Sequence, residues 1–443
     1  MILTKEDAEE FLGKLQKFGI KLGLEQTKEL FARCGNPQRD LRFIHIAGTN
    51  GKGSCGAMLE RALRTVGFST GFYTSPHLID VVERFRVNGK AISDQEFIAL
   101  CETLRISVEA MAAEGKQVTY FEFVTVLAAL FFACHHVDFV IWETGMGGRF
   151  DATNVVEPIA ALITNIALDH QQYLGDTIEK IAFEKAGIIK EGKPVFTGVM
   201  PPEALAVIEK RAVECQSPLY TPAEEVKNFS VKFLPSGLPV QNFICEKYPV
   251  ELSLAGPMQR RNFRAVFPLL KYLAGEYDFS LPEALHGLNR TSWPARCQCL
   301  TNGVWVDGGH NPDGMIALRE TLRELFGKDK SAFIFGGFAD KEVPEELEII
   351  IESASEFVFV PLRCNFRKWR PPEELTAYMN RRHPEIPCRT APDVATALQM
   401  LAGASRKVVT GSLYLAGEVL SINNVLDLEQ SFADEPYTTG SAG

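Results

Sequence analysis

The sequence predicts an α/β protein made of two domains. Strand-like apolar runs alternate with helical patterns along the chain, which is typical of βαβ units. The length of 443 residues exceeds what one hydrophobic core usually serves, since domains generally hold about 100–200 residues. A glycine-rich segment lies between the first clear strand and the helix after it, a position at which doubly wound sheets bind ligands.

Composition and charge indicate a soluble globular protein and argue against a nucleic-acid partner. The chain has 46 Lys and Arg residues against 56 Asp and Glu residues, a net charge of -10, whereas a phosphate backbone is bound by a surplus of basic side chains. A small phosphorylated ligand is compatible with this charge, because backbone amides, one lysine and a divalent cation can hold it. The ten cysteines match no zinc-binding spacing and are expected to be reduced thiols.

The sequence gives no indication of export or of a membrane span. Residues 1–20 mix charged with apolar residues and lack the apolar run and cleavage site of a secretory signal. The most apolar stretch, residues 123–142, is interrupted by Thr125, two histidines and Asp138, so it predicts a helix followed by a strand. We therefore expect a cytoplasmic protein with no membrane partner.

Three strands are predicted in the first domain, each followed by a polar loop. Residues 41–47 form the first strand, and a helix over residues 54–66 follows its glycine-rich loop. Residues 139–143 and 160–165 form the other two, and the last of these precedes Asp169 and His170. Because ligands collect beyond the carboxyl ends of the strands in a doubly wound sheet, the three loops should converge on one site.

The second domain is predicted to begin after a connector over residues 289–296. Four strand candidates follow it, separated by helical patterns, at residues 304–306, 332–335, 357–360 and 407–410. We therefore divide the chain into domains 1–295 and 296–443. The polar tail after Asp434 is expected to be disordered.

The strongest local motif is the glycine-rich loop, Gly48-Thr49-Asn50-Gly51-Lys52-Gly53-Ser54. Glycines let successive N–H groups point at phosphate oxygens, Lys52 can reach the β- and γ-phosphates, and the Ser54 hydroxyl can ligate Mg²⁺. Gly53 separates the lysine from the serine, so the loop departs from the common P-loop consensus. A tight strand-to-helix turn is the alternative, but the strand, lysine, hydroxyl and helix together favour phosphate binding.

Other polar residues could complete a metal site beside this loop. Mg²⁺ prefers oxygen ligands, and the hydroxyls of Ser54 and Ser75 with the carboxylate of Glu143 would suit it. His170 is a softer ligand, for which a capping or core histidine is the alternative. Lys185 could be a counter-charge for phosphates or a solvated helix residue.

Taken in order, the motifs resemble those of the folylpolyglutamate synthase and dihydrofolate synthase family, two-domain members of the Mur ligase superfamily. They lie at residues 74–77 (TSPH), 143–154 (ETGMGGRFDATN), 164–170 (TNIALDH), 184–190 (EKAGIIK) and 411–415 (GSLYL). The resemblance covers nearly the whole chain. It implies a P-loop-containing, Mur-ligase-like central domain and a smaller, Rossmann-like α/β C-terminal domain.

The resemblance also implies how metal is held. The lysine of the family's KAGI motif is carbamylated, which implies the same for Lys185. Adding CO₂ to a neutral amine turns a cation into an anion with two oxygens, able to bind or orient Mg²⁺. The family binds metal through residues matching Ser75, Glu143 and His170, which implies two Mg²⁺ sites, one between the β- and γ-phosphates and one at the acceptor carboxylate.

In the second domain the resemblance implies a nucleotide-facing motif at residues 307–312 (DGGHNP). Arg296 and Asp307 match nucleotide-binding positions, as does Asn262 of the first domain. His310 matches a residue near the γ-phosphate or the incoming glutamate, and a turn histidine is its alternative. Residues 336–341 match another family motif, to which we assign no role.

Two positions depart from the family pattern. Met258 stands where many relatives carry a histidine, which affects one nucleotide or positioning contact while Asn262 remains. Ala295 stands where relatives often carry a glycine, which adds only a methyl group.

A pterin site is implied around the run Thr119-Tyr120-Phe121-Glu122-Phe123 and at Asp151. Phe121 would stack on the flat heterocycle and Asp151 would accept its ring N–H groups. Core packing at the start of a helix is the alternative for Phe121.

The resemblance implies an ATP-dependent amide ligase that joins L-glutamate to a folate, and also to dihydropteroate, through an acyl phosphate. One alternative is another Mur-type amino-acid ligase, such as a peptidoglycan-building enzyme, which carries an extra amino-terminal domain where only 47 residues precede Gly48 here. The other is a P-loop ATPase switch that does not ligate, in which residues 307–312 and a carbamate would have no obvious use. A monomer is expected.

Overall fold

The computed structural model describes residues 1–17, 19, 23–300, 303–340, 343–364 and 367–423. The chain forms two compact units. The first comprises Met1–Asn228, Phe243–Pro249 and Met258–Gly287, and the second comprises Phe229–Asn242, Val250–Pro257 and Leu288–Gly443. The domain boundary between residues 295 and 296 stays a prediction, and the tail after Asp434 lies outside the described residues.

The first unit is built on an eight-stranded sheet with the order β4-β3-β2-β5-β1-β6-β7-β8. The central strand β1 pairs in parallel with both β5 and β6. Every residue of β1 and β5 is buried, as expected of parallel strands that are covered on both faces. The strands are β1 (Phe43–Ala47), β2 (Thr70–Tyr73), β3 (Phe85–Val87), β4 (Lys90–Ala91), β5 (Phe139–Glu143), β6 (Pro158–Ile163), β7 (Val195–Thr197) and β8 (Leu219–Tyr220).

Helices accompany this sheet, and several of them begin with a capping side chain. Thr119 and Glu122 form a capping box at the start of α5, in which each side chain accepts a hydrogen bond from the other residue's backbone. Helix α5 then buries an apolar core with α1, α2 and α4. The helices are α1 (Lys5–Gln16), α2 (Glu25–Arg33), α3 (Lys52–Thr65), α4 (Asp94–Ala113), α5 (Tyr120–Cys134), α6 (Gln171–Leu174), α7 (Ile178–Ala186), α8 (Pro202–Glu214), α9 (Pro257–Tyr277) and α10 (Leu281–His286).

Short 3₁₀ helices and a small sheet complete the connections. The 3₁₀ helices cover Pro37–Asp40, Val81–Arg84, Ala152–Val155, Gly287–Arg290 and Ile351–Ser353. The division into units runs through a three-stranded sheet of order β11-β10-β9, with β9 (Lys227–Phe233), β10 (Pro239–Cys245) and β11 (Tyr248–Leu252).

A six-stranded sheet forms the core of the second unit, in the order β12-β13-β17-β14-β15-β16. Strands β13, β17, β14, β15 and β16 run parallel, while β12 pairs antiparallel at the edge. The strands are β12 (Gln298–Cys299), β13 (Val304–Val306), β14 (Ser331–Phe335), β15 (Ala354–Phe359), β16 (Cys388–Thr390) and β17 (Lys407–Thr410). The helices are α11 (Pro312–Phe326), α12 (Val343–Ile350), α13 (Pro372–Arg382), α14 (Val394–Met400) and α15 (Leu413–Ile422).

The predicted elements are confirmed with small shifts in their ends. The strand over 139–143 has the predicted bounds, whereas the strand predicted over 160–165 begins and ends two residues earlier. Helix α3 begins at Lys52 rather than at Ser54, because Gly51 already occupies the N-cap position. The four strands predicted in the second unit all form.

Two further predictions from the sequence concern membrane-spanning helices and the cysteine thiols. Within the described ranges, no helix is long and apolar enough to cross a membrane. All ten cysteines are free thiols, five of them buried.

Candidate active site

The glycine-rich loop owes its shape to two close approaches. Gly48 has φ +157° and Gly51 has φ +84°. A Cβ on Gly48 would overlap the hydroxyl of Thr164, and a Cβ on Gly51 would lie 2.5 Å from Asn262 Oδ1. Glycine is therefore required at both positions, and at Gly51 the left-handed backbone adds a second reason.

The loop after β6 lies directly against the glycine-rich loop. The Asn50 amide donates to Asn165 Oδ1 at 2.7 Å, and the Thr49 hydroxyl donates to the Ala167 carbonyl at 3.0 Å. The Thr164 hydroxyl donates to the Asn50 carbonyl at 2.6 Å. The loops that follow β1 and β6 thus converge as the sequence predicted.

Two lysines meet at the first glycine of the loop. Lys185 Nζ donates to the Gly48 carbonyl at 2.9 Å, and Lys52 Nζ donates to the same oxygen at 3.1 Å and to the Thr49 carbonyl at 3.3 Å. Lys185 is only 4% exposed. Its burial, together with the charge of Lys52, lowers the pKa of the Lys185 amine to about 7. A substantial fraction of this amine is therefore neutral near pH 7.

The segment after β5 packs tightly on the helix that carries Lys185. The Arg149 amide donates to the Glu184 carbonyl at 2.8 Å. A Cβ on Gly148 would lie 3.0 Å from the Lys185 carbonyl oxygen, and a Cβ on Gly187 would overlap Arg149. The glycines of the 143–154 motif and of the KAGI motif therefore permit one close contact, which holds α7 and Lys185 against the sheet edge.

The predicted oxygen ligands come from neighbouring elements of the same sheet edge. Ser75 follows β2, Glu143 ends β5 and Ser54 lies in the first turn of α3; β2, β5 and β1 are adjacent strands. The hydroxyl oxygens of Ser54 and Ser75 are buried and have no hydrogen-bond partner within the described part of the chain. Glu143 is buried. Buried hydroxyls and a carboxylate are oxygen ligands of the kind that a hard cation such as Mg²⁺ prefers.

His170 takes the position of a cap rather than of a core residue. It is the N-cap of the short helix α6, with φ +51°, and its side chain is 49% exposed and 3.9 Å from the Asp169 carboxylate. No group of three or more His, Cys, Asp or Glu side chains arranged to hold a metal occurs among the described residues.

Asn262 joins the glycine-rich loop from a distant part of the chain. It lies on α9 and is buried. Its Nδ2 donates to Gln259 Oε1 at 3.0 Å, which directs Oδ1 toward Gly51. Met258, in the first turn of the same helix, is partly buried.

The two predicted pterin residues both contact the segment Gly145–Met146 after β5. The Phe121 ring covers Gly145 so closely that a Cβ there would overlap it, and it also lies 6.2 Å from the Tyr73 ring. Asp151 Oδ2 accepts from the Met146 amide at 2.8 Å. Burial raises the pKa of the Asp151 carboxyl, while hydrogen bonds from the Met146 amide and from Thr153 act in the opposite direction.

Thr153 is a partner of Asp151 that the sequence reasoning missed. Its amide donates to Asp151 Oδ1 at 3.0 Å and its hydroxyl donates to the same oxygen at 2.5 Å. The Asp-x-Thr spacing within the run DATN could have revealed it, because Asp side chains often cap the residue two positions on.

In the second unit, Asp307 organises the turn that follows β13. Its Oδ1 accepts from the Gly309 amide and its Oδ2 from the Cys297 amide, both at 2.8 Å. Burial raises the pKa of Asp307 against the opposing charge of Arg296. His310 Nδ1 lies 2.9 Å from the Gly308 carbonyl, so Nδ1 carries the proton in this contact.

The departure at Ala295 changes more than a methyl group. Ala295 is fully buried and has φ +55°, a left-handed conformation that favours glycine. Its carbonyl accepts from the Gly308 amide and from Arg296 Nη1, both at 2.8 Å. The unusual backbone thus aims this carbonyl at the residues of the 307–312 motif.

Three loops converge in the second unit because β13, β17 and β14 are adjacent and parallel. The Gly411 amide donates to the Gly309 carbonyl at 3.1 Å, and the Gly336 amide donates to the Thr410 carbonyl at 3.4 Å. Residues 410–411, at the end of β17, therefore connect the 307–312 motif to the described residues of the 336–341 motif. Within them, Asp340 makes a bidentate ion pair with Arg367.

Two family models match the chain. The Mur ligase middle domain matches residues 46–269, and the Mur ligase glutamate ligase domain matches residues 295–413. The first range contains the glycine-rich loop and Lys185, and the second contains Arg296 and the 307–312 motif.

A relative of known activity resembles the chain over nearly its whole length. The dihydrofolate synthase/folylpolyglutamate synthase of Bacillus subtilis is 38% identical over 431 residues, which cover 95% of this chain and 99% of that protein. The chain belongs to the dihydrofolate synthase/folylpolyglutamate synthase family. The expected family, α/β fold class and ligase class are thereby confirmed.

Solved folylpolyglutamate synthases share the fold. A Mycobacterium tuberculosis folylpolyglutamate synthase complexed with ADP and AMPPCP matches with a TM-score of 0.83 and 27% identity, covering 94% of this chain and 98% of that one. An FPGS–AMPPCP–folate complex matches with a TM-score of 0.78 and 29% identity, covering 96% and 100% of the two chains. These matches to folylpolyglutamate synthases therefore extend over both compact units of the chain.

Proposed function

We propose that the protein uses ATP to join L-glutamate to a folate, and also to dihydropteroate, through an acyl phosphate. The Bacillus subtilis relative bears both activities in its name, and solved folylpolyglutamate synthases are complexed with ADP, AMPPCP and folate. The observation that carries the proposal is the convergence of the glycine-rich loop, the buried serine hydroxyls and Lys185 on one sheet edge.

The glycine-rich loop would hold the phosphates of ATP. Its backbone amides, at the N-terminus of α3, suit anionic oxygens. Lys52 now donates to two loop carbonyls and would turn to the β- and γ-phosphates when these are present. Asn262, beside Gly51, would fix the loop from the side and contact the nucleotide.

Ser54, Ser75, Glu143 and His170 are the residues that would hold Mg²⁺, at two sites. The fit rests on the hydroxyl oxygens of Ser54 and Ser75, which are buried without a partner in the described residues, an arrangement that costs free energy unless a ligand uses them. Bound Mg²⁺ would neutralise charge on the transferring phosphoryl group.

We assign Lys185 as the carbamylated lysine. Its buried amine has a pKa near 7 and is therefore available as the neutral nucleophile that CO₂ requires. The Nζ–C bond forms as one C=O electron pair moves to oxygen, and the amine releases a proton to solvent. The product is an anion next to Lys52, which would relieve the repulsion between the two lysines.

Phe121 and Asp151 would hold the pterin ring of the acceptor. Phe121 offers an aromatic surface over Gly145, and Asp151 offers a carboxylate whose Oδ2 accepts from the Met146 amide in the same segment. A flat heterocycle with ring N–H groups matches this pair.

The second domain, residues 296–443, would contribute to nucleotide and glutamate binding. Arg296 and Asp307 would contact the nucleotide, and His310 would lie near the γ-phosphate or the incoming glutamate. With these groups in place, the acceptor carboxylate attacks the γ-phosphoryl group, ADP leaves, and the glutamate amine displaces phosphate from the acyl phosphate. We propose that the enzyme acts as a monomer.

The test is ADP release by the purified protein with Mg²⁺, with and without L-glutamate, using dihydropteroate or tetrahydrofolate as acceptor. We expect release to require both glutamate and an acceptor, and both acceptors to support it. Release that is indifferent to glutamate and acceptor would indicate a non-ligating ATPase. Release with tetrahydrofolate alone would remove the dihydrofolate synthase activity from the proposal.

A further inference from the structure

A buried chain of hydrogen bonds connects the central strand to Asp151. His45, on β1, is fully buried, and its Nε2 lies 2.9 Å from Thr153 Oγ1. Thr153 in turn donates twice to Asp151 Oδ1, through its hydroxyl and its amide. The chain therefore begins in the rigid centre of the sheet and ends on the carboxylate that the proposed function assigns to the pterin.

The direction of each hydrogen bond follows from the chemistry of the groups. An ionised carboxylate only accepts, so the Thr153 hydroxyl proton points to Asp151, and the hydroxyl oxygen accepts from His45 Nε2–H. Burial, with a smaller effect from Lys190, lowers the pKa of His45 to about 3. The ring is therefore neutral, and its single N–H proton is on Nε2.

Thr153 is also held in place by its burial and by a hydrogen bond to its backbone. It is fully buried, and its carbonyl accepts from Trp142 Nε1 at 3.0 Å. Trp142 is on β5 and pairs with His45 in the parallel register of β1 and β5. The Thr153 backbone is thus held by Trp142 on β5, and its hydroxyl lies between His45 on β1 and Asp151.

The network leaves the two oxygens of Asp151 unequal. Each carboxylate oxygen offers about two acceptor sites. Both sites of Oδ1 are filled by Thr153, whereas Oδ2 accepts from the Met146 amide, and the Gly145 amide also donates to this carboxylate. Thr153 therefore holds Oδ1 and leaves Oδ2 toward the Gly145–Met146 segment, which the Phe121 ring covers.

We propose that Thr153 and His45 are positioning residues that present Oδ2 of Asp151 to the ring N–H of the acceptor, and so help to select acceptors that carry a pterin. The proposal rests on the proposed function, in which Asp151 contacts the pterin. Because the hydrogen bonds end on Asp151, their loss should raise the KM of the acceptor and leave the KM of ATP unchanged.

The test compares steady-state kinetics of Thr153→Val, Thr153→Ser and Thr103→Val in the full chain. Valine has nearly the shape of threonine without its hydroxyl, and we expect it to raise the KM for dihydropteroate and tetrahydrofolate roughly ten-fold, the size expected for one hydrogen bond to a charged group. Serine keeps the hydroxyl and should restore the KM. Thr103 lies exposed on α4 and donates only to the Ala99 carbonyl, so its variant should behave as wild type.

His45→Leu provides a second measurement if Thr153→Val does not fold. It removes the donor to the Thr153 hydroxyl, and a smaller rise in acceptor KM at unchanged KM for ATP supports the proposal. Equal changes in both KM values, or no change in either, in the folded variants would overturn it.

Asp151→Asn separates this proposal from the one on which it rests. If Asp151→Asn raises the acceptor KM and Thr153→Val does not, Asp151 contacts the acceptor but the positioning role is wrong. If Asp151→Asn leaves the acceptor KM unchanged, the pterin contact and the positioning role both fail. Glutamate-dependent ADP release by the wild type reports on the ligase activity independently of either result.

Discussion

Lys185 Nζ donates to the carbonyl oxygen of Gly48 at 2.9 Å, although 137 positions separate the two residues. Lys52 donates to the same oxygen. Burial of Lys185 and the nearby charge of Lys52 both disfavour a second ammonium group at this point. The local structure therefore supplies a neutral amine near physiological pH, which is the state in which an amine can capture CO₂.

Turnover should be lost on the acid side of neutrality. Because the pKa of Lys185 is lowered to about 7, the amine becomes protonated as the pH falls through 7, and carbamylation becomes unfavourable. We expect the carbamate signal in ¹³C NMR spectra of protein in ¹³CO₂-equilibrated buffer to decrease over the same pH range as the rate of ADP release.

Substitution of Lys185 should separate the loss of carbamylation at low pH from a general sensitivity of the enzyme to acid. Lys185→Ala should abolish both the carbamate signal and turnover. Lys180→Ala, in which an exposed lysine of the same helix loses its pairing with Asp176, should retain both. A fully active enzyme without a carbamate signal would contradict the assignment.

Replacing Ser54 or Ser75 by alanine should weaken Mg²⁺ binding without a loss of stability. Each hydroxyl oxygen is buried without a hydrogen-bond partner in the described residues, so removing it should leave the free energy of unfolding unchanged or raise it by up to about 1 kcal/mol. The Mg²⁺ concentration for half-maximal ADP release should rise for both variants.

Ser93→Ala is the matched control for these serines. Ser93 forms a capping box at the start of α4, so its loss should lower the free energy of unfolding by about 1 kcal/mol and leave the Mg²⁺ requirement unchanged. A Ser54 or Ser75 variant that loses stability as Ser93→Ala does, with no change in Mg²⁺ requirement, would argue against metal ligation.

Gly51→Ala should reduce nucleotide affinity because the new methyl group lies in the path of Asn262. Its Cβ would be 2.5 Å from Asn262 Oδ1, and the backbone has φ +84°. Gly115 has a similar φ of +78° with open space around it. Both variants should lose about 1 kcal/mol of stability from backbone strain, but calorimetric titration with ATP should show weaker binding only for Gly51→Ala. Equal ATP affinities would refute the steric argument.

Buried His45 should make the protein less stable as the solution is acidified. Its pKa is lowered from 6.5 to about 3, so below about pH 6.5 the unfolded chain takes up a proton that the folded protein does not. The free energy of unfolding should therefore fall between pH 6.5 and 5, with a contribution from His45 that approaches about 1.4 kcal/mol per pH unit. Urea denaturation at several pH values should show that the free energy of unfolding of His45→Gln depends less steeply on pH than that of the wild type. An unchanged pH dependence would mean that His45 takes up a proton in the folded state.

The parts of the fold that the sequence predicts best are its buried parallel strands. The strands over 139–143, 304–306 and 407–410 form with the predicted bounds, because strands covered on both faces are continuous apolar runs. The short edge strands Gln298–Cys299 and Cys388–Thr390 were not predicted, because they contain polar residues and are only partly buried, so they form no apolar run.

The candidate site likewise combines a motif that is local in sequence with contacts between residues that are far apart in sequence. The glycine-rich loop is a local motif, and its tight turn between β1 and α3 could be predicted from spacing. The contacts of Asn262 with Gly51 and of His45 with Thr153 depend on how distant elements pack, which spacing does not encode. The left-handed backbone at Ala295 was also unpredictable, because alanine rarely adopts it.

The distance in sequence between Gly48 and Lys185 also affects how the protein is made. A ribosome that has just added Gly48 must add 137 more residues before the partner amine exists, which takes roughly 7 to 27 s at about 5–20 residues per second. During that interval the nascent chain exposes a glycine-rich loop that lacks both Lys185 and the α9 residue beside Gly51. Under the proposed carbamylation, Lys185 can therefore capture CO₂ at this place only after α7 has been synthesised and has packed against the strands that precede it.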